Sequence, residues 1–157
     1  MSPELEDLYQ QVLLDHSKRP RNFGTLDEGA VHVHGDNPSC GDEIDLHVRF
    51  GPAHEVEDIR FTGQGCAICI ASASMMTMKL KGRRRAEAAE LATAFHTLVT
   101  TGLPQPVGAL GDLQLMEGVR KFPQRVKCAM LAWRAFEQSL GGDCAVKATD
   151  VSTESME

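Results

Sequence analysis

The chain has 157 residues, is 42% hydrophobic and carries a formal net charge of -6, a length that suits one domain with a real core. Negative net charge excludes broad electrostatic attraction to nucleic acid or to an anionic membrane surface. No apolar run approaches the roughly 20 residues of a bilayer span, and the N-terminus is acidic rather than a basic lead into an apolar stretch. A cytoplasmic protein without nucleic-acid or membrane partners is expected.

In chain order, Ser2 is placed to cap a helix that opens with Pro3 and carries Glu4, Glu6 and Asp7 in its first turn, where negative charge suits the dipole. Leu5, Leu8, Val12 and Leu13 form its apolar stripe, and Pro20 and Gly24 stop it. A weak strand is expected over 30–34, before the Asn37-Pro38 turn signal. Alternation of Ile44, Leu46, Val48 and Phe50 predicts a half-buried strand. Val56, Ile59 and Phe61 predict a second strand across the Gly51-Pro52 connection, forming an antiparallel hairpin. The period then changes: helices are predicted over 66–81, ended by Gly82, and over 86–101, ended by Gly102. A short helix over 113–118 and a long final helix over 123–140, opened by Pro123, complete the pattern.

Strands first and helices afterwards indicate an α+β fold. A small antiparallel sheet of about three strands is covered on one face by helices, with an N-terminal helix and a long C-terminal helix. Residues 1–142 are expected to form a single domain. Residues 143–157, polar and acidic with little periodicity, are expected to be a flexible tail.

Five cysteines are an odd number without disulfide-framework spacing, so metal or sulfur chemistry is expected ahead of structural bridges. Three lie where a thiolate is favoured. Cys40 sits in Asn37-Pro38-Ser39-Cys40-Gly41-Asp42, Cys66 follows Gly63-Gln64-Gly65 at a predicted helix start, and Cys128 follows Arg125-Val126-Lys127, whose cations should favour its ionisation. Gly41 allows a sharp turn that aims Cys40 and Asp42 at one centre. Three sulfurs and one carboxylate can fill a tetrahedral zinc site or hold an iron–sulfur assembly. Taken singly, Cys128 also reads as a core residue and Asp42 as a turn carboxylate.

Cys66 and Cys69 form a C-x2-C pair, which reads as a redox couple or as one ligand beside a buried thiol. The six histidines form no spaced pair with a cysteine and read as surface or satisfied-core residues. Met75, Met76 and Met78 read as packing. The basic run over 79–85 reads as a solvated helix end, or as a docking patch for an acidic partner.

At these residues the chain resembles the U-type iron–sulfur assembly proteins, which include IscU, SufU and the N-terminal domain of NifU, and within them the SufU branch. The resemblance rests on Leu8-Tyr9-Gln10-Gln11-Val12 with Asp15-His16 and Pro20-Arg21-Asn22, on the Cys40 and Cys66 segments, on Ala71-Ser72-Ala73-Ser74-Met75-Met76, and on Phe122-Pro123-Gln124-Arg125-Val126-Lys127-Cys128-Ala129 with Trp133. Lys127 stands where IscU-like chains carry histidine, and the connection between Cys66 and Cys128 is longer than theirs. The resemblance implies zinc bound by Cys40, Asp42, Cys66 and Cys128; by position, Arg125, one helical turn before Cys128, and Lys127 are expected to modulate the charge around the site. It also implies sulfur transfer from a SufS-type cysteine desulfurase to Cys40, which a ligand exchange on docking would free, and delivery to downstream iron–sulfur assembly machinery. The alternatives are a scaffold that builds an iron–sulfur cluster on the same ligands, or a non-catalytic zinc module. Cys69 and Cys144 depart from the family's three-cysteine pattern.

Overall fold

The structure is a computed structural model that describes residues 3–26, 29–38, 41–101, 111–140 and 149–152. Helix α1 (Pro3–Lys18) leads into strands β1 (Val31–Asn37), β2 (Asp42–Phe50) and β3 (Val56–Gln64). Helices α2 (Ala67–Leu80) and α3 (Arg85–Thr101), a 3₁₀ helix over Gly111–Lys121, and α4 (Pro123–Leu140) follow. A last short strand, β4, spans Thr149–Ser152.

The expected α+β architecture is present. β1, β2 and β3 form an antiparallel sheet with β2 central. Period-2 alternation sends Val31, Val33, Ile44, Leu46, Val48, Ile59 and Phe61 into the core. It leaves His32, His34, Asp45 and His47 partly exposed on the other face. α4 packs against β1 and β2, and α2 against β3. β1 is longer than the weak strand expected over 30–34, because Gly35 and Asn37 continue the buried phase past His34.

Within the segment expected to be a tail, Thr149–Ser152 pairs in parallel with residues Val33 to Asp36 of β1. Four residues are too short to declare a period, whereas the open edge of β1 offers unpaired backbone groups that a strand can satisfy.

α2 is buried on nearly every side, from Ile68 through Thr77. Its small residues let α1 and α4 approach closely, and its buried hydroxyls are satisfied across those contacts. The Ser72 hydroxyl donates to the Ala129 carbonyl at 2.6 Å and accepts from Trp133 Nε1 at 3.1 Å. Ser74 Oγ accepts from the Arg21 backbone N–H at 2.8 Å and pairs with His16 Nδ1 at 2.7 Å. His16 is thus a satisfied core histidine. Fully buried Trp133 also stacks on Phe95, with ring centroids 4.6 Å apart, and truncating such a residue typically removes about 3–5 kcal/mol. Met75 and Met76 pack in the core as expected, but Met78 is 56% exposed, on the turn of α2 that faces away from it.

The basic run at the end of α2 is largely used within the chain. Lys81 Nζ lies 3.3 Å from Asp58, Arg83 pairs with Glu87 at 2.9 Å, and Arg85 donates to the Leu140 carbonyl at 2.8 Å. Arg83 Nε also donates to the Lys79 carbonyl at the helix end. No helix among the described residues is long and apolar enough to cross a membrane.

Candidate metal centre

Three elements end at one corner of the sheet. β2 begins with Asp42, which is buried. Cys66 is the N-cap of α2, with extended backbone, and its sulfur accepts from the Cys69 N–H at 3.4 Å. Cys128, buried, lies in the second turn of α4. One ligand atom from each of Asp42, Cys66 and Cys128 lies within 4.8 Å of the other two, the one such cluster of His, Cys, Asp or Glu among the described residues.

The corner is held by contacts among its own residues, with Asp42 and Cys128 buried and Cys66 exposed. Asp42 Oδ1 accepts the Cys66 backbone N–H at 2.9 Å, while Oδ2 lies 3.8 Å from the Cys66 sulfur. Glycine is required at position 65, because a Cβ there would collide with Asp42 Oδ1. Gly41, at φ +72°, supplies the left-handed turn expected before Asp42, and its N–H donates to the Asn37 carbonyl at 2.9 Å. Cys40, expected as the fourth ligand and as the acceptor thiol, lies outside the described residues, as does Cys144.

Without a metal the two described thiols are pushed in opposite directions. The Cys128 S–H donates to Cys66, which together with the Cys69 and Ile68 N–H groups outweighs burial and the Asp42 charge and lowers the Cys66 thiol to about 7. The same hydrogen bond, with burial and Asp42, pushes the Cys128 thiol up. This is opposite to the expectation that Arg125 and Lys127 favour a Cys128 thiolate, because the groups that act on its thiol are Cys66, burial and Asp42. A bound cation would remove the conflict by taking charge from both sulfurs. One carboxylate oxygen and two sulfurs are the donor types zinc accepts, and the thiolates equally suit iron.

A cavity of about 650 Å³ opens beside the corner, lined by Gln10, Leu13, Ala67, Ile68, Phe122 and Arg125 with the two cysteines. The Arg125 guanidinium lies over the Phe122 ring, 4.6 Å from its centroid, and so forms part of the wall. Lys127, one residue before Cys128, is partly exposed and does not line that wall. Cys69 is buried beneath Cys66.

Sequence reading missed Asn37 as part of this corner, treating it only as a turn signal. Its side chain is fully buried and its Nδ2 donates to the Cys128 sulfur at 3.7 Å. The available signal was the phase of β1, in which Val31, Val33 and Asn37 fall on one face.

An antiparallel β1–β2–β3 sheet covered by helices, with a carboxylate-thiolate corner at the strand-to-helix junction, defines an α+β protein with a candidate metal site. Residues 8–129 match the family model described as the NifU-like N-terminal domain, and the chain belongs to that family. It is 44% identical over 137 residues to the iron–sulfur cluster assembly scaffold protein IscU of Streptococcus pyogenes serotype M1, covering 87% of this chain and 85% of that one. It is 42% identical over 136 residues to the zinc-dependent sulfurtransferase SufU of Bacillus subtilis (strain 168), covering 87% and 91%. Among solved structures, a protein described as an iron–sulfur cluster assembly scaffold for the SUF system, from Fervidobacterium islandicum AW-1, superposes with a TM-score of 0.78 at 30% identity, covering 86% of this chain and 98% of that one.

Proposed function

We infer that this iron–sulfur assembly protein is a zinc-dependent sulfur acceptor that takes sulfur from a SufS-type cysteine desulfurase through Cys40 and passes it to iron–sulfur assembly machinery. The observation that carries the reading is the convergence of Asp42, Cys66 and Cys128 within 4.8 Å at the mouth of an open cavity. The similar Bacillus protein is named for zinc-dependent sulfur transfer, and Lys127 at the position preceding Cys128 favours the same branch.

In this reading Asp42, Cys66 and Cys128 hold zinc together with Cys40, and the bound ion supplies charge that keeps thiolates deprotonated at neutral pH. Cys40 follows the buried end of β1 and precedes Gly41, whose left-handed turn ties the loop back to Asn37. Its thiolate attacks the outer sulfur of the desulfurase persulfide. The new sulfur–sulfur bond forms on Cys40, the old one breaks, and the desulfurase cysteine leaves as a thiolate. The apolar cavity wall, with Arg125 over Phe122, gives the incoming persulfide segment a place to dock and a cation near the departing charge.

Anaerobic purification with metal analysis, followed by a desulfurase assay with and without the chain, tests the reading. One zinc per chain and stimulation that is lost in Cys40→Ala support it. Stoichiometric iron and acid-labile sulfide without stimulation would replace it with the scaffold reading suggested by the name of the Streptococcus relative. Full stimulation by Cys40→Ala but not by Cys69→Ala would move the acceptor to Cys69.

A further inference from the structure

Asn37 is the last residue of β1 and faces Asp42 across the end of the β1–β2 hairpin. The turn between them is closed by backbone, since the Gly41 N–H donates to the Asn37 carbonyl; the Asn37 side chain is not needed for it. That side chain is nevertheless fully buried. Its Nδ2 donates to Cys128 Sγ at 3.7 Å, and its Oδ1 has no hydrogen-bond partner. A buried acceptor left without a partner is destabilising, and an apolar side chain of the same size would avoid it, as Val31 and Val33 do on the same face of the strand. The one described polar contact that the carboxamide makes in return is the sulfur.

We propose that Asn37 is a positioning residue that holds Cys128 as a fixed, weakly nucleophilic metal ligand and so leaves sulfur transfer to another cysteine. This rests on the metal-bound reading of the corner. An N–H donor on a thiolate withdraws electron density from the sulfur and stabilises its charged form, and such bonds to charged groups are stronger than neutral ones. Supporting hydrogen bonds of this kind orient ligands and tune their affinity. The result is that Cys128, bonded by a buried side-chain amide, is held on the metal as a ligand of lowered reactivity. The backbone carbonyl of the same residue accepts the Gly41 N–H, so Asn37 contacts both the residue that follows Cys40 in sequence and the ligand that stays.

The test uses the full chain loaded with Zn²⁺, in the wild type, Asn37→Leu and Asn37→Asp; both variants keep the size of the side chain and lose its N–H. Alkylation by iodoacetamide is followed cysteine by cysteine. The expected result is a rise of roughly tenfold in the Cys128 rate, the scale of one hydrogen bond to a charged group, with the Cys66 rate changed by less than about twofold. A Co²⁺-loaded sample should show its sulfur-to-cobalt absorption moved to longer wavelength in both variants. A purely structural role would lower the melting temperature and raise the Cys66 and Cys128 rates together. An unchanged ratio of the two rates in both variants, or an unmoved absorption band, would overturn the proposal. If the variants do not fold, or the chain takes up neither zinc nor cobalt, the Asn37 side-chain amide signals of the metal-free protein decide. They should shift in Cys128→Ala, and signals that stay in place would overturn the proposal even though the loss of metal binding would count only against the zinc-dependent function.

Discussion

Among the described residues, two regions collect metal-capable side chains, and one of them brings them to a point. At the corner, Asp42, Cys66 and Cys128 come from a strand start, a helix cap and the second turn of another helix, and their donor atoms fall within 4.8 Å of each other. On the outer face of the sheet, His32, His34, Asp45 and His47 are neighbours on two paired strands. Those groups satisfy one another instead of converging. Asp45 Oδ1 lies 2.9 Å from His32 and 3.0 Å from His34, and the His32 and His47 rings stack 4.5 Å apart. Burial pushes the Asp45 carboxyl up, but the two imidazole hydrogen bonds more than reverse it and hold it below the usual range. The lesson is that donor type is insufficient. A candidate site arises when separate elements bring their donors to one place, whereas a flat sheet face lets donors pair side by side along the strands.

The largest effect that would break this contrast is loss of a corner ligand. Cys128→Ala should weaken zinc binding by more than ~100-fold, beyond the range typical for loss of a supporting partner, as measured by competition with a chromophoric chelator. Retained affinity would place the metal elsewhere. Gly65→Ala removes no donor, yet its Cβ would collide with Asp42 Oδ1, so the carboxylate must swing away. A ~10–100-fold loss of zinc affinity is expected in the same titration, while far-ultraviolet dichroism should show the helices intact.

The metal-free corner gives a pH signature. Cys66, held near 7, is about half ionised at neutral pH, against a few per cent for an ordinary thiol of pKa ≈ 8.5. Because the thiolate is the reactive form, its alkylation should rise through pH 7 and level off above it, with Cys128, whose thiol is pushed up, modified last. Cys128 reacting first would contradict the charge assignment. The smallest effect lies on the histidine face, where Asp45→Asn should change stability by less than ~1 kcal/mol, as for other partly exposed charged pairs. Because the Asp45 carboxyl is held low, whatever it contributes is present above its unfolded value and lost as pH falls through its folded one. Zinc affinity at the corner should not respond, and a response would mean the two regions are coupled.

Much of the fold was readable because its signals are local. The alternation from Ile44 to Phe50 set β2, Gly82 followed the end of α2, and Pro123 opened α4 where it was expected. Asp42, Cys66 and Cys128 were readable as donors from their settings, a tight turn, a helix start and a basic flank. Their relative geometry was not, since it depends on how β2, α2 and α4 pack. That is also why Cys128 was assigned a thiolate from its flanking cations, when the stronger influence is Cys66, distant in sequence and adjacent in space. The contact between Asn37 and Cys128 spans 91 positions, and the parallel pairing of Thr149–Ser152 with β1 likewise joins residues with no local mark of their meeting.

The cysteine on which sulfur lands tests sulfur transfer through Cys40 most directly. Zinc-loaded protein should be mixed with a cysteine desulfurase and isotopically labelled cysteine for a single turnover, quenched with an alkylating agent, and mapped by peptide mass spectrometry. One labelled sulfur on the peptide that carries Cys40, with Cys66 and Cys128 unmodified and zinc retained, is the expected result. Label on Cys66 or Cys128, or label found only as inorganic sulfide in an iron-bound cluster, would contradict it.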